Sequence, residues 1–508
     1  MLPVLQAEMP AGGRESCSFF RFFSAGKYGI MKSNNGKRNW IISRNPGNEE
    51  KNRMSTTEYK PFLSITECSA LLDAGKITPV ELTEQAIEAT EKYQPKINAY
   101  ITFRPEEARK EAEKAAAEIK KYGRKSMLHG IPFAVKDLID AKGLPTTMGS
   151  ESMKDHIAAE DAPTVEALRK SGAILMGKTN TQEWGIGPSG DRSFFGPVRN
   201  PYDTTRISGG SSSGSCAAVA AGMVPMALGS DAGGSIRIPA ALCSVVGLKT
   251  TFGLLKQSGD RKIRFASHLT VEGPIAASSE DAAIMMDALD RAHGGYRKAV
   301  QEADSLSGKK FAVPYHLFRD AVEPGVAKVF EESIARLEKA GAMIREAEFP
   351  WLTEIPALSS SITFPEAAYK HLDRLKEAPE SFQPFIRKRL ETGFDYSALQ
   401  YITALEKREE AIAKWQLAMA DLDAVLMPTV PVTAYPLFET TMNFLGEEKN
   451  CSELLVKHTR TANVIGCPAL SVPAGFAGGL PVGLQMMGAM GADAGLLGLG
   501  ALFEKVRN

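Results

Sequence analysis

The segment Asp231-Ala-Gly-Gly-Ser-Ile-Arg237 is the part of this chain best suited to chemistry. Two glycines ahead of a serine let consecutive backbone N–H groups turn into one cavity beside the hydroxyl, a donor cluster suited to an oxyanion. Ser235 is thus a candidate nucleophile with its own oxyanion site. A serine hydroxyl attacks poorly unless a base takes its proton, and no histidine stands in a matching motif, so a neutral lysine is the natural candidate. Lys136 ends the apolar run Ile131-Pro-Phe-Ala-Val135, where desolvation would lower its pKa toward the working range. The competing reading makes Lys136 a structural ion-pair partner of Asp137 or another carboxylate, and residue types alone leave both open. Upstream stands Gly209-Gly-Ser-Ser-Ser-Gly-Ser-Cys-Ala-Ala-Val-Ala-Ala-Gly222. Glycine and serine this dense usually make a flexible linker, but a small-residue helix pattern and an apolar strand follow at once. A phosphate-binding loop would need Gly-Lys-Ser/Thr after the glycines, and none is present.

These loops need regular elements to hold them, and hydrophobic periodicity supplies the candidates. Pro105 opens a helix with Ala108, Ala112, Ala115, Ala116 and Ile119 on one stripe, and Ile131–Val135 reads as a buried strand. Pro163 to Ser171 reads as a helix feeding a strand at Ala173-Ile-Leu-Met176. The stripe Val326, Val329, Phe330, Ile334 and Leu337, stopped by Gly341, leads into an extended segment from Met343. A long helix through Trp415 gives way to strands at Ala424-Val-Leu-Met427, Ala469-Leu-Ser-Val-Pro473 and Pro481–Met487. Alternation of this kind predicts an α/β fold with a central mixed β-sheet covered by helices on both faces. With no internal repeat and no clean linker after residue 57, residues 58–508 are expected to form a single catalytic domain. Residues 1–57 differ: through Arg53 they hold nine basic against four acidic residues with little periodicity, and disorder is expected there. No secretory signal is expected in the first residues, a weak organelle-targeting reading is opposed by the glutamates, and Met54 is an alternative start.

Composition excludes several function classes. Lys and Arg number 60 against 60 Asp and Glu, so no polyanion partner and no nucleic acid is implied. No apolar run is long enough to span a bilayer, so no membrane role is expected and the reading is cytoplasmic. The six cysteines are scattered without a CxxC pair and read as reduced thiols, Cys243 and Cys467 as small core residues. The seven histidines, His129 and His268 among them, show no ligand spacing, so neither a metal nor any cofactor is expected.

The motifs resemble the amidase signature family, whose pattern runs Gly-Gly-Ser-Ser-(Ser/Gly)-Gly, a small-residue helix, then Gly-x-Asp-x-Gly-Gly-Ser-Ile-Arg-x-Pro. Here it reads Gly209 to Gly214 and Gly229 to Pro239, and similarity runs from about Leu63 to the end, including Gly130–Asp137, Phe195–Asp203 and Pro468–Pro473. Cys216 and Thr250 depart from the usual residues, and neither touches the motif serines or the lysine. The resemblance implies Ser235 as acyl-enzyme nucleophile, Ser211 as a bridging serine preceded by a cis peptide, and Lys136 as base. It implies an oxyanion hole on the N–H groups of Ala232, Gly233, Gly234 and Ser235. Asp231 and Arg237 would brace the loop, and Ser212 and Ser213 would support the triad. By position Trp184, Gly185 and Ile186 would line the substrate site, with an apolar or aryl amide favoured over glutamine. The implied activity is amide hydrolysis on a small-molecule amide, by a chain acting alone or as a homodimer. One alternative is the A subunit of a glutamyl-tRNA amidotransferase, which releases ammonia from glutamine within a multi-subunit complex. Its usual glutamine-site arginine and aspartate motifs are not visible here, and Glu183–Asp191 reads more like free-standing amidases. A scaffold that kept the fold and lost the chemistry is the remaining alternative, disfavoured by the intact triad.

Overall fold

A computed structural model describes residues 62–257 and 266–507, and in addition three short strands, Phe23–Ser24, Lys27–Asn34 and Lys37–Ile42, paired as an antiparallel ribbon. That ribbon belongs to a unit of its own, Met1–Asn52, while Arg53–Asn508 forms the second unit. The remainder of the expected disordered extension over 1–57 lies outside the described residues.

The second unit is organised around an 11-stranded sheet. Numbered within this sheet, its strands are β1 Tyr100–Phe103, β2 Pro132–Lys136, β3 Ile174–Thr179, β4 Met226–Asp231, β5 Val246–Lys249, β6 Val271–Ala276, β7 Lys310–Val313, β8 Met343–Glu346, β9 Ala424–Pro428, β10 Ala469–Ala477 and β11 Leu480–Met487. Their spatial order is β8-β7-β9-β11-β10-β5-β6-β4-β2-β3-β1. The sheet is mixed, as expected: β8, β7 and β9 run parallel at one end, β4, β2 and β3 run parallel near the other, and antiparallel pairs join the two groups.

Both faces of the sheet are buried, which explains why its strands read as continuous apolar runs rather than alternating ones. Phe133 and Val135 of β2 enter one hydrophobic cluster and Ala134 enters another, just as Met226 and Leu228 of β4 part from Ala227. The helices anticipated from periodicity are Pro105–Tyr122, Pro163–Lys170, Pro324–Lys339 and Ala398–Ala418. Proline at the first turn of the first three removes a donor that would have no partner there. The Gly/Ser stretch is no linker. It enters the Ser213–Ala220 helix, every residue of which is buried against the sheet. Among the described residues no helix is long and apolar enough to cross a membrane.

Candidate active site

Because β2, β3 and β4 are parallel, their carboxyl ends open on the same edge, the edge where ligands bind in α/β sheets. Lys136, Thr179 and Asp231 are the last residues of these three strands. The loops that follow them carry Trp184–Ile186 and Ala232–Ser235, and Gly209–Ser212 joins them ahead of the Ser213–Ala220 helix.

Lys136 is wholly buried. Its Nζ lies 2.7 Å from Ser211 Oγ, 3.0 Å from Ser230 Oγ and 3.3 Å from the Ser230 carbonyl oxygen. No carboxylate among the described residues pairs with it. The sequence-adjacent Asp137 is 3.1 Å from Lys178 instead, because successive residues of a strand point to opposite faces. Burial pulls the Lys136 ammonium from its ordinary 10.5 down to about 7, against the opposing pull of Asp231, Cys216 and Glu272. The expected alternative, an ion pair of Lys136 with Asp137 or another carboxylate, is not formed among the described residues.

Ser211 is held from its backbone. The Gly210–Ser211 peptide is cis, and the Ser211 carbonyl accepts from Thr181 Oγ1 at 2.8 Å and from Ser213 Oγ at 3.4 Å. Ser212 donates its N–H to the Ser235 carbonyl at 3.0 Å and its Oγ to the Ser230 carbonyl at 3.2 Å, which ties the two motif segments together.

The loop bearing Ser235 is fixed by a buried ion pair. Arg237 donates Nε and Nη2 to the two Asp231 oxygens, both at 3.0 Å, with neither side chain exposed. Its remaining donors reach the Thr459 carbonyl at 2.8 Å, Gln485 Oε1 at 2.6 Å and Asn463 Oδ1 at 2.7 Å. Burial alone would raise the Asp231 carboxyl, yet the Arg237 guanidinium and Asn463 hold it well below the usual carboxylate range. Asp231 in turn accepts from the N–H groups of Gly234 at 2.7 Å and Ile236 at 3.1 Å.

That last contact alters the expected oxyanion hole. The Gly234 N–H is spent inside the loop, whereas those of Ala232, Gly233 and Ser235 have no acceptor among the described residues. Gly234 has a different reason to be glycine: at φ 129°, a Cβ there would sit 2.2 Å from Thr459 Oγ1. Gly233 faces open space, with nothing within 4 Å of an added Cβ.

Of the expected Trp184, Gly185 and Ile186, Gly185 lies beside Ser211. A Cβ on Gly185 would lie 3.6 Å from Ser211 Oγ and 2.9 Å from Leu138 Cδ1. Trp184 and Ile186 belong to an apolar cluster with Met148, Phe382 and Ile386. The Trp184 ring meets His371 edge-on at 4.6 Å and Phe382 at 6.0 Å, and Arg374 lies over it at 4.6 Å. Burial lowers His371 to about 4, so it is a neutral ring in this wall. Cys243 and Cys467 are buried, as expected of core residues, and burial pushes both thiols up.

Sequence reasoning missed Ser230, Thr181, Thr459, Asn463 and Gln485. Ser230 immediately precedes the motif aspartate and was the most findable. The last three lie more than 220 residues along the chain from the groups they hold, and nothing local marks them.

A family model described as Amidase matches residues 81–497. The A subunit of the glutamyl-tRNA(Gln) amidotransferase of Thioalkalivibrio sulfidiphilus is 35% identical over 478 residues, which is 87% of this chain and 97% of that protein. A solved amidase superposes with a TM-score of 0.81 at 33% identity, covering 87% of this chain and 99% of the other. A bacterial aryl acylamidase of the amidase signature enzymes gives 0.80 at 26% identity, covering 88% and 96%. The fold and the family are those of enzymes that hydrolyse carbon–nitrogen bonds. The chain belongs to the amidase family.

Proposed function

We propose that this enzyme cleaves linear amides through an acyl-enzyme on Ser235, with Ser211 as proton bridge and Lys136 as general base. The observation that carries this reading is the 2.7 Å contact between Ser211 Oγ and a wholly buried Lys136 that has no carboxylate partner among the described residues. Neutral Lys136 takes the Ser211 proton as Ser211 takes that of Ser235, and Ser235 Oγ bonds to the amide carbon. The oxyanion formed is met by the free N–H groups of Ala232, Gly233 and Ser235, each worth about 3 kcal/mol of barrier. Collapse breaks the C–N bond as the relay returns the proton to the leaving nitrogen. Water then attacks the ester by the same relay, freeing the acid and Ser235.

The wall of Trp184, Ile186, His371 and Phe382 favours an acyl or amine group that is aryl or otherwise apolar. A second reading, release of ammonia from glutamine by an amidotransferase A subunit, is favoured by the 35% identity to such a protein over nearly its whole length. Product release from an anilide, a primary aliphatic amide and glutamine by the purified chain separates the two. Turnover of the anilide without glutamine activity supports the first, and glutamine-only turnover overturns it. Ser235→Ala should abolish both turnover and labelling by a fluorophosphonate probe, and a variant that still labels would remove Ser235 from its role.

A further inference from the structure

A second lysine, Lys178, is buried one strand away from Lys136, and its place in the chemistry is not evident from the motif. Lys178 is on β3, where Val135 of β2 is its register partner, and Lys136 is the partner of Thr179. Its Nζ reaches Asp137 Oδ1 at 3.1 Å, Thr146 Oγ1 at 2.9 Å and the Pro145 carbonyl at 3.1 Å. Asp137 also accepts from the Thr147 N–H at 2.9 Å and from the Thr147 hydroxyl. Neither charged side chain is exposed.

We propose that Lys178 is a positioning residue for the reaction: by closing an ion pair with Asp137 on the face of the sheet opposite Lys136, it keeps the nearest carboxylate in the sequence from acting as counter-charge to the base. This rests on the reading of Lys136 as base. The carboxylates that act on Lys136 are Asp231 at the end of β4 and Glu272 on β6, while burial pushes the Cys216 thiol on the Ser213–Ala220 helix up, into its neutral form. Asp137, the next residue, is taken up by Lys178 instead. Its carboxyl is pushed up by burial and pulled down by Lys178 and Thr147. The pair therefore presents no net charge to Lys136 across the strand, and one partner removed leaves the other uncompensated. The pair also ties down the turn at Pro145–Thr147, since Lys178 donates to the Pro145 carbonyl and Thr146 hydroxyl and Asp137 accepts from the Thr147 N–H, and from that turn the Met148 carbonyl accepts from the Trp184 N–H at 2.7 Å.

Charge compensation has a signature that a merely structural role lacks. A bare charge about 10 Å from Lys136 at an effective dielectric of about 20 shifts its titration by roughly one pH unit. The readout is the rate of fluorophosphonate labelling of Ser235 as a function of pH, which needs no knowledge of the substrate. Lys178→Met, leaving Asp137 bare, should move the rising limb up by about one unit. Asp137→Asn, leaving Lys178 bare, should move it down, and the double variant should return it to the wild-type position. Limbs that stay in place while rates fall would overturn the proposal, as would single variants shifting in the same direction. If Lys178→Met does not fold, Asp137→Asn is still expected to move the limb down and the double variant to leave it at the wild-type position. A wild-type profile with no ionisation near pH 7 would instead count against Lys136 as base, which keeps the two failures apart.

Discussion

The end of β2 and the loop after β4 each hold a cation wholly shut from solvent, and their surroundings are opposite. Arg237 meets a carboxylate in a two-bond fork and fills its other donors with carbonyl oxygens from distant segments. Lys136 meets two hydroxyls and one carbonyl. Burial is the same in both places, but a guanidinium stays protonated whatever its partner, whereas the charge of a buried lysine depends on the counter-charge supplied. Arg237 holds the Asp231 carboxyl well below its usual range, and the pair serves as a rigid brace. At Lys136 no paired carboxylate repays desolvation, and the amine titrates near 7. A buried lysine whose counter-charge is withheld can give up its proton, whereas the arginine, protonated throughout, serves as a strut once its counter-charge is supplied.

The contrast between the two cations should break most visibly in rate. Lys136→Ala should lower kcat/KM by at least about 10³-fold, and Lys136→Arg should be as inactive because a guanidinium stays protonated at any workable pH. An arginine variant with near-normal rate would make Lys136 another strut. In wild type, kcat/KM should rise with pH through an apparent pKa of about 7. A limb near 10 would mean that burial does not set the titration.

Stability should respond in the reverse order. Arg237→Met strands the Asp231 carboxylate inside the protein, at a cost of about 3–5 kcal/mol, and Arg237→Lys should not rescue it because an ammonium cannot make the fork. Thermal unfolding of both variants checks this, and an unchanged Tm would show that the loop needs no brace. Lys136→Met should behave oppositely. A lysine whose folded pKa lies near 7 and whose ordinary value is 10.5 binds fewer protons folded than unfolded between those pH values. Its contribution is therefore a destabilisation, full below about 7 and relieved as pH rises toward 10.5. Lys136→Met should match or exceed wild type in Tm at pH 7, with the gap closing as the pH approaches 10. A gap that widens with pH would contradict the assigned charge.

The smallest effect concerns substrate choice. Trp184→Leu keeps an apolar surface and loses the edge-on ring contact with His371 and the tilted one with Phe382. The preference for an anilide over an aliphatic amide should fall about tenfold, measured as the ratio of kcat/KM values. An unaltered ratio would move the aryl-selective wall elsewhere.

Much of this was legible in the chain itself, because it depends on neighbours. The Gly-Gly-Ser turn, the proline-opened helices and the apolar strand ending at Lys136 are local patterns of backbone freedom and side-chain period, readable without a fold. Even the family followed from motif residues a few positions apart. Whether Lys136 pairs with Asp137 was not readable, since Asp137 stands beside it in sequence and on the other face in space. The same holds for the commitment of the Gly234 N–H to Asp231, which leaves three free amides where four were expected. It holds again for Thr459, Asn463 and Gln485, whose only reason to be where they are is an arginine more than 220 residues away. Local order comes from short-range sterics and periodicity, which the sequence carries directly. Charge states and donor assignments depend on which distant groups share a buried volume, and only the packed sheet decides that.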